Sequence, residues 1–475
     1  MAVAESQLMR QRKEFWEGQE ASTVAMIQTE GFEHLAAEDA DEVMAYLPDL
    51  RCKRVIDLAA GIGRFTTSLA KVAAQVTAVD VSEAFIRENR AQNHHFPHVS
   101  YICDDVVNLE LPEGSLDVVF SSWLLKYLSD AELDRFLPKV LSWLSPGGHF
   151  FFRESCFGNV GTIHSAENPT IFRRPEEYVS HLLQARDAQQ SAFSLLRCKN
   201  VLAYINYKSA ANQVCFLARK VSERDVEDKP EPRQHIICPL GAALPDGGPG
   251  DALGGEASTK AFAARLGLQA GQRVLVVGCG HGESAEFLVR HYQVTVHGVD
   301  RCPARVFKAI ERQVKMDGDL RQKLHFEAGC LTQLERNDDS YDVIYCREAL
   351  HVLSKKQDVF GRFYRWLRKG GLFFITEYTS GCSSSASSST STEGAAGCSH
   401  AHTQPACHLE TADNLAMSMR EAGFKGVTAK DLSQELTKIL TEEVGGSDNP
   451  GNDGNYQLVL AKKGQLTWTS FTATK

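Results

Sequence analysis

The sequence lacks several features, and each absence argues against a class of protein. No apolar run approaches the ~18 residues of a membrane-spanning helix, and the polar N-terminus lacks the apolar core of a signal peptide. Basic residues are not in excess: 51 Lys and Arg against 60 Asp and Glu give a net charge of −9, which argues against nucleic-acid binding. The 13 cysteines include no Cys-x-x-Cys pair. We therefore expect a cytoplasmic protein with reduced thiols, without membrane insertion or nucleic-acid partners.

The chain does contain an internal repeat. Residues 54–63 (RVIDLAAGIG) return about 220 residues later as residues 273–282 (RVLVVGCGHG), and three further segments recur in the same order. In each copy an apolar run ends in a glycine turn, a helical stretch follows, and a second apolar run ends in an acid. This alternation predicts a mostly parallel sheet with helices on both faces. The predicted fold class is α/β, with two tandem Rossmann-like domains.

Composition predicts where the two domains meet. Residues 1–222 form the first domain, residues 223–234 are a charged linker with two prolines, and residues 235–475 form the second domain. A serine-rich stretch at about residues 380–408 is predicted to be a disordered insertion. Its cysteines and histidines fit no standard zinc spacing, so we predict no metal site there. These residues are Cys398, His400, His402, Cys407 and His408.

Acids at strand ends in the first copy predict a nucleoside site. Gly61 and Gly63 let the backbone turn tightly between a strand and a helix. Asp80 ends the next strand 17 positions after Gly63, where a carboxylate accepts hydrogen bonds from ribose hydroxyls. Asp105 ends another strand, where it can accept from an adenine amino group, and the backbone amide of Val106 faces the ring.

The same turn favours a sulfonium ligand over a dinucleotide. Dinucleotide sites use three glycines to seat a pyrophosphate, whereas here Arg64 and Phe65 follow Gly63 and the third glycine is absent. Asp57 precedes the turn, where its carboxylate would repel a pyrophosphate and attract an ammonium group. S-adenosylmethionine carries an α-amino group and no phosphate, so the acids favour it as the ligand.

Four segments of the first copy closely resemble the phosphoethanolamine N-methyltransferases of plants and nematodes. They are VIDLAAGIGRFTTSLA, WLLKYLSD (123–130), LSPGGHFFFRESCF (144–157) and NPTIFRRPEEY (168–178). Members of that family carry two tandem class I methyltransferase domains and convert phosphoethanolamine toward phosphocholine. The methyl donor is S-adenosylmethionine, and S-adenosylhomocysteine is released.

The resemblance covers nearly the whole chain, is strongest over residues 12–220, and is to the nematode type with an active N-terminal domain. It implies one methylation, from phosphoethanolamine to phosphomonomethylethanolamine, as the first step toward phosphocholine and phosphatidylcholine. A second enzyme would complete the later methylations.

The resemblance also implies a set of site residues, which includes the acids and glycines above. Arginine suits the phosphate of the substrate because its planar fork matches phosphate oxygens, although each arginine could instead form an ordinary salt bridge. The implied cofactor residues are Asp57, Ala59, Gly61, Gly63, Arg64, Asp80, Asp105, Val106 and Ser122. The implied substrate residues are Trp16, Ser22, Thr23, Arg153, Arg173, Arg174 and Tyr178.

Tyr127 is the candidate catalytic residue, because it lies in the segment where the family places its catalytic Tyr or His. The substrate amine has a lysine-like pKa, is mostly protonated at neutral pH and must lose a proton before it attacks. Tyr127 could accept or relay that proton, orient the nitrogen, or serve only as a core tyrosine. The sequence leaves these roles open.

The second copy is predicted to be degenerate. It keeps a glycine turn, Asp300 and His351, which lies where active relatives have a catalytic histidine. However, residues 233–255 lack the aromatic residues with which active second domains begin, and Cys330 stands where the adenine-binding aspartate belongs. We therefore expect a structural or regulatory role for this copy.

Two alternative functions remain at this point. The chain could be a methyltransferase that carries out all three methylations or acts on another small anionic amine. It could also be a non-catalytic binding scaffold, which the intact first nucleoside site argues against.

Overall fold

A computed structural model describes residues 2–27, 33–158, 168–222, 253–381, 408–444 and 453–475. The chain divides into two compact units, residues 1–240 with 310–328, and residues 241–309 with 329–475. The predicted linker at 223–234 and most of the predicted serine-rich insertion lie outside the described residues, so the linker, the insertion and the domain boundaries stay predictions. Within the described ranges, every helix is too short or too polar to span a bilayer.

The N-terminal part of the chain forms eight helices and seven strands in its described residues. The helices are α1 (Ala2–Glu17), α2 (Thr23–Ile27), α3 (Glu33–Tyr46), α4 (Thr66–Ala70), α5 (Glu83–Asn93), α6 (Asp130–Trp143), α7 (Pro175–Gln184) and α8 (Leu202–Lys208). The strands are β1 (Arg54–Leu58), β2 (Gln75–Asp80), β3 (Val99–Cys103), β4 (Leu116–Ser122), β5 (Leu144–Ser155), β6 (Ala192–Asn200) and β7 (Gln213–Val221).

The C-terminal part repeats this alternation. The helices are α9 (Gly255–Ala263), α10 (Glu283–Tyr292), α11 (Pro303–Val314), α12 (Gly318–Arg321), α13 (Lys356–Trp366), α14 (Ala412–Glu421), α15 (Ser433–Val444) and α16 (Asp453–Lys462). The strands are β8 (Arg273–Val277), β9 (Thr295–Asp300), β10 (Leu324–Ala328), β11 (Tyr341–Arg347), β12 (Leu367–Ser380), β13 (Lys425–Asp431) and β14 (Leu466–Thr474).

The sheet of the first unit explains where its site lies. Its strand order is β3-β2-β1-β4-β5-β7-β6-β10, parallel from β3 to β5 and antiparallel at β7, β6 and β10. The order reverses between β1 and β4, and ligands of open α/β sheets bind outside the carboxyl ends of the strands at this reversal. The segments that follow β1, β2, β3 and β4 therefore meet at one edge, as the sequence predicts.

Aromatic side chains fill the core beside this edge. Phe120 on β4 stacks on Phe151 of the neighbouring β5 with 4.9 Å between ring centroids, and Phe65 packs on Phe120 at 5.0 Å. All three side chains are buried. This packing holds β4 and β5 under the glycine turn, so the site rests on a rigid base.

The sheet of the second unit has the order β9-β8-β11-β12-β14-β13, which matches β2-β1-β4-β5-β7-β6 of the first unit. Its first four strands are parallel, and β14 is antiparallel to both of its neighbours. The repeat seen in the sequence is thus a repeat of topology. The nine cysteines within the described residues are free thiols.

Candidate active site in the first unit

A cavity that opens to solvent, with about 880 Å³ of empty space, lies at the carboxyl ends of the parallel strands in the first unit. Its walls come from the glycine turn after β1, the ends of β2 and β3, the segment after β4, and helix α1. Seven of the implied cofactor residues are among those that meet here: Ala59, Gly61, Arg64, Asp80, Asp105, Val106 and Ser122.

Asp80 is fixed by backbone amides at the end of β2. The amide of Gly61 donates to its Oδ2 at 2.8 Å, and the amide of Ser82 donates to its Oδ1 at 2.9 Å. Gly61 has φ +55°, a conformation that favours glycine, and a Cβ there would lie 2.8 Å from the Sδ of Met26. The carboxylate is thereby held against the cavity at the place where the sequence predicts the ribose.

Burial shifts the acidity of two carboxyl groups at this turn. It raises the pKa of Asp80 to about 6, although the amides of Ser82 and Gly61 act in the opposite direction. It raises the pKa of Asp57 to about 7, against the hydrogen bond from Thr66. The Asp57 carboxylate accepts from the Thr66 hydroxyl at 2.7 Å and does not line this cavity. Asp57 therefore binds a residue that follows the turn, and its contact with the donor ammonium stays a prediction.

Asp105 follows β3 and lines the cavity. The amide of Val107 donates to its Oδ1 at 3.1 Å, and the guanidinium of Arg12 donates to its Oδ2 at 2.9 Å. Asp104 and Val106 line the cavity beside it. The predicted adenine-binding segment thus borders the cavity.

Tyr127 and Trp16 form an aromatic wall of the cavity. Tyr127 ends a 3₁₀ turn, Leu125–Tyr127, and its ring contacts that of Trp16 edge to face with 5.6 Å between centroids. The Tyr127 hydroxyl is buried and has no hydrogen-bond partner among the described residues. A buried hydroxyl of this kind costs free energy unless a ligand satisfies it.

The turn that carries Tyr127 is fixed by the carboxylate of Glu154. The amide of Leu125 donates to Glu154 Oε1 at 2.7 Å. Burial raises the pKa of Glu154 to about 7, although the charge of Lys126 lowers it. Helix α6 begins directly after the turn with a capping box, in which Ser129 and Glu132 exchange hydrogen bonds with each other's backbone amides.

Arg153 and Arg64 share one buried carboxylate. Arg153 donates to Asp39 Oδ1 at 2.5 Å, and Arg64 donates to Asp39 Oδ2 at 2.7 Å. Burial raises the pKa of Asp39, but the charges of the two arginines outweigh it, and the net pKa lies below the ordinary value. Arg64 lines the cavity, whereas Arg153 is fully buried beside it and donates to Ser122, which lines the cavity. The guanidinium of Arg153, which is predicted to bind the substrate phosphate, is therefore already paired with a carboxylate.

The other predicted substrate residues lie outside this cavity. Arg173 is buried and donates to the carbonyl oxygens of Leu125 and Leu128 at 3.2 and 2.6 Å and to Asp130 at 2.7 Å. Its guanidinium lies 5.6 Å from the centroid of the buried Tyr178 ring. Arg174, Ser22 and Thr23 complete the predicted substrate residues that do not line the cavity, and Gly63, an implied cofactor residue, does not line it either. The guanidinium of Arg174 is half exposed and pairs with Glu311 at 2.6 Å.

Several cavity residues were not predicted from the sequence. They include Arg12 on α1, Met26 on α2, Phe85 on α5 and Trp123 after β4. Trp16 packs on Phe85 at 6.1 Å, and Trp123 has φ +60°, an uncommon conformation for a bulky residue. The four-residue spacing of Arg12 and Trp16, which puts them on one face of a helix, is the signal that could have identified Arg12.

The second unit repeats two of the acid contacts. The amide of Gly280 donates to Asp300 Oδ2 at 3.0 Å, as Gly61 does to Asp80. The amide of Leu350 donates to Glu377 Oε2 at 2.6 Å, as Leu125 does to Glu154.

This equivalence of Leu350 with Leu125 aligns the two turns residue by residue. It makes His351 the counterpart of Lys126, and Val352 the counterpart of Tyr127. The His351 Nδ1 lies 3.0 Å from Glu377 Oε1. Cys330, which stands at the predicted aspartate position, is buried with its Sγ 3.0 Å from the Thr332 hydroxyl. At the positions that correspond to Tyr127 and Asp105, the second unit therefore has Val352 and Cys330 in place of a phenol hydroxyl and a carboxylate.

Both units contain an arginine–hydroxyl contact between neighbouring strands, but the arginine and the hydroxyl have exchanged strands. On paired positions of β4 and β5, Arg153 donates to the Ser122 hydroxyl at 2.7 Å. On the corresponding paired positions of β11 and β12, Arg347 donates to the Thr376 hydroxyl at 3.4 Å. The arginine lies on β5 in the first unit and on β11, the counterpart of β4, in the second.

Both halves of the chain are similar to known methyltransferases. Two family models described as a methyltransferase domain match residues 55–148 and 256–429. The chain is 34% identical to phosphoethanolamine N-methyltransferase of Triticum aestivum, over 98% of this chain and 95% of that one. It is 33% identical to phosphoethanolamine N-methyltransferase 3 of Arabidopsis thaliana, over 91% and 88%.

A solved structure shows the same fold. Phosphoethanolamine N-methyltransferase 1 of Haemonchus contortus, in complex with phosphoethanolamine and S-adenosylhomocysteine, superposes with a TM-score of 0.70 over 100% of this chain and 98% of that one, at 20% identity. The fold, the site and the matched domains define a methyltransferase that uses S-adenosylmethionine, built from two tandem Rossmann-like domains. The chain belongs to the phosphoethanolamine N-methyltransferase family, so the resemblance predicted from the sequence is confirmed.

Replacement of the two equivalent acids should distinguish the units. Asp80→Ala removes the acceptor for the ribose, and since hydrogen bonds to charged groups contribute about 1.5–3 kcal/mol, donor affinity should fall by about tenfold or more. Asp300→Ala makes the same change in the second unit and is the matched control. Turnover and isothermal titration with S-adenosylhomocysteine should show a large loss for the first variant and little change for the second. Equal losses in both variants would contradict the assignment of the site to the first unit.

The raised pKa of Asp80, about 6, predicts a pH dependence of donor binding. Protonation removes the negative charge and acceptor capacity of the carboxylate. Affinity for S-adenosylhomocysteine should therefore be highest above pH ~7 and fall as the pH drops through about 6. Calorimetric titrations over this range test the effect. The Asp80→Asn variant should bind more weakly and show a flatter profile, and an unchanged profile would speak against Asp80.

Proposed function

We propose that the first unit transfers a methyl group from S-adenosylmethionine to the amine of phosphoethanolamine and gives phosphomonomethylethanolamine. The observation that carries this proposal is the cavity in which Asp80 and Asp105 lie with the aromatic wall of Trp16 and Tyr127. The names of the relatives, together with the bound ligands of the Haemonchus contortus structure, support phosphoethanolamine as the acceptor.

Methyl transfer is an in-line displacement, in which the nitrogen lone pair forms a bond to the methyl carbon as the bond from that carbon to sulfur breaks. Such a reaction depends mainly on the positions of the two reactants. The aromatic faces of Trp16 and Tyr127 suit a cationic sulfonium and the ammonium that forms on nitrogen. The unsatisfied Tyr127 hydroxyl supports its assignment as the group that orients the amine or takes its proton.

For the phosphate of the substrate, we propose Arg173 ahead of Arg174 and Arg153. The buried Arg173 binds the carbonyl oxygens of Leu125 and Leu128, on either side of Tyr127, so its charge is close to the proposed methyl acceptor. All three arginines are paired: Arg173 with the exposed Asp130, Arg174 with Glu311, and Arg153 with Asp39, which also pairs with Arg64. Arg173 is placed first because, of the three, it binds the backbone on both sides of Tyr127. Ser22, Thr23 and Tyr178 stay proposals for the same side of the site.

The two adjacent arginines provide a direct test. Arg173→Ala should raise the KM for phosphoethanolamine by about tenfold or more, since charge-assisted hydrogen bonds contribute about 1.5–3 kcal/mol. Arg174→Ala, which removes an exposed guanidinium one residue later, should change it less. Steady-state kinetics at saturating donor, with thermal melting to verify folding, give the comparison. A larger effect of Arg174→Ala would overturn this order.

We propose that the reaction stops after one methyl group and that a second enzyme completes the later methylations. The resemblance to the nematode type supports this. So does the second unit, where Val352 occupies the position that corresponds to Tyr127. We assign the second unit a structural or regulatory role. A cytoplasmic location is part of the same proposal, and the scattered free thiols support it.

An exhaustive reaction decides between one methylation and three. With excess S-adenosylmethionine and phosphoethanolamine, mass spectrometry should find phosphomonomethylethanolamine as the main product. Added phosphomonomethylethanolamine should be a poor substrate. Accumulation of phosphocholine at a comparable rate would favour the alternative, an enzyme that carries out all three methylations.

A further inference from the structure

Arg12 lies in the wall of the cavity, and the chemistry above assigns it no role. Its side chain is on α1 and is only 6% exposed as a residue. Trp16 follows four positions later, on the same face of the helix, and also lines the cavity. One face of α1 therefore contributes both a charge and an aromatic ring to the site.

Three acceptors surround the guanidinium of Arg12. Its Nη2 donates to Asp105 Oδ2 at 2.9 Å, and its Nη1 donates to the backbone oxygen of Tyr127 at 3.1 Å. The same Nη1 lies 3.5 Å from Glu132 Oε1, in the first turn of α6. The planar fork of arginine can serve several acceptors at once, so one side chain joins segments after β3 and after β4 to α1.

These contacts also balance buried charge. The side chains of Asp105 and Glu132 are 15% and 1% exposed, and a buried carboxylate is costly unless it is paired. Each carboxylate oxygen accepts more than one hydrogen bond, so Asp105 can hold Arg12 and an adenine amino group together. The Arg12 contact and donor binding are therefore compatible.

We propose that Arg12 is a positioning residue that couples the donor site at Asp105 to the turn that carries Tyr127. The inference rests on the proposed function of the first unit. A donor bound at Asp105 stabilises the carboxylate position that Arg12 needs, and Arg12 in turn holds the Tyr127 carbonyl. Loss of Arg12 therefore weakens donor binding, because Asp105 loses the guanidinium that holds it, and lowers the rate of methyl transfer at saturating donor, because the Tyr127 carbonyl loses its hydrogen-bond donor.

The test compares Arg12→Gln with Lys13→Gln. The control removes the same charge from the next position of α1, where Lys13 is exposed and pairs with Glu17 at 3.7 Å. Arg12→Gln should lower both the affinity for S-adenosylhomocysteine and kcat by about tenfold, within the usual range of coupling between sites. Lys13→Gln should leave both unchanged. Arg12→Lys keeps the positive charge without the planar fork, so relative to Arg12→Gln it should restore donor affinity more than kcat. If Arg12→Gln does not fold, Arg12→Lys takes its place in the comparison with Lys13→Gln.

A second background shows whether Arg12 acts through Asp105. In the Asp105→Asn variant, adding Arg12→Gln should change donor affinity by no more than about twofold, whereas independent residues would show the full loss again. A full loss there, or equal behaviour of Arg12→Gln and Lys13→Gln, overturns the inference. The wild-type chain is assayed first with phosphoethanolamine: absence of methylation refutes the proposed function, while the calorimetric comparison still tests Arg12.

Discussion

The site of the first unit depends on carboxylates that bind backbone amides where strands end. Asp80 holds the amides of Gly61 and Ser82, and Glu154 holds that of Leu125. Each of these bonds fixes a segment that would otherwise be an irregular loop, and each places a ligand-facing group on it. The second unit retains this arrangement at Asp300 and Glu377. Buried acids thus fix the backbone of the site in both units. The side chains on that backbone differ, since Tyr127 in the first unit corresponds to Val352 in the second.

Much of this organisation was predictable from the sequence because its signals are local. The repeat, the glycine turn and the acids at strand ends can be read from short windows, and they predicted the sheet edge where Asp80 and Asp105 meet. Residue type alone drew attention to His351, which lies at the position of Lys126 in the first unit. The amide contact of Leu350 instead shows which positions are equivalent.

Long-range charge pairs were the part that the sequence did not reveal. Arg153 looked available for a phosphate, but its partner Asp39 lies 114 positions earlier. Asp105 looked free for adenine, whereas Arg12 reaches it from 93 positions earlier. Neither pairing leaves a periodic pattern, because a buried ion pair depends on where two helices or strands pack in the fold. Such pairs persist because removing one partner leaves the other charge buried and uncompensated.

The arginine that lies on β5 in one unit and on the counterpart of β4 in the other has an evolutionary consequence. In both units a guanidinium meets a hydroxyl across paired positions of neighbouring strands, Arg153 with Ser122 and Arg347 with Thr376. A column-by-column comparison of the two copies scores each position as a mismatch, although the pairwise contact is the same. In these two units a reciprocal exchange has therefore kept an arginine–hydroxyl contact, at 2.7 Å in the first and 3.4 Å in the second. At this place the relation between the units is visible in the pair of positions and not in either position alone.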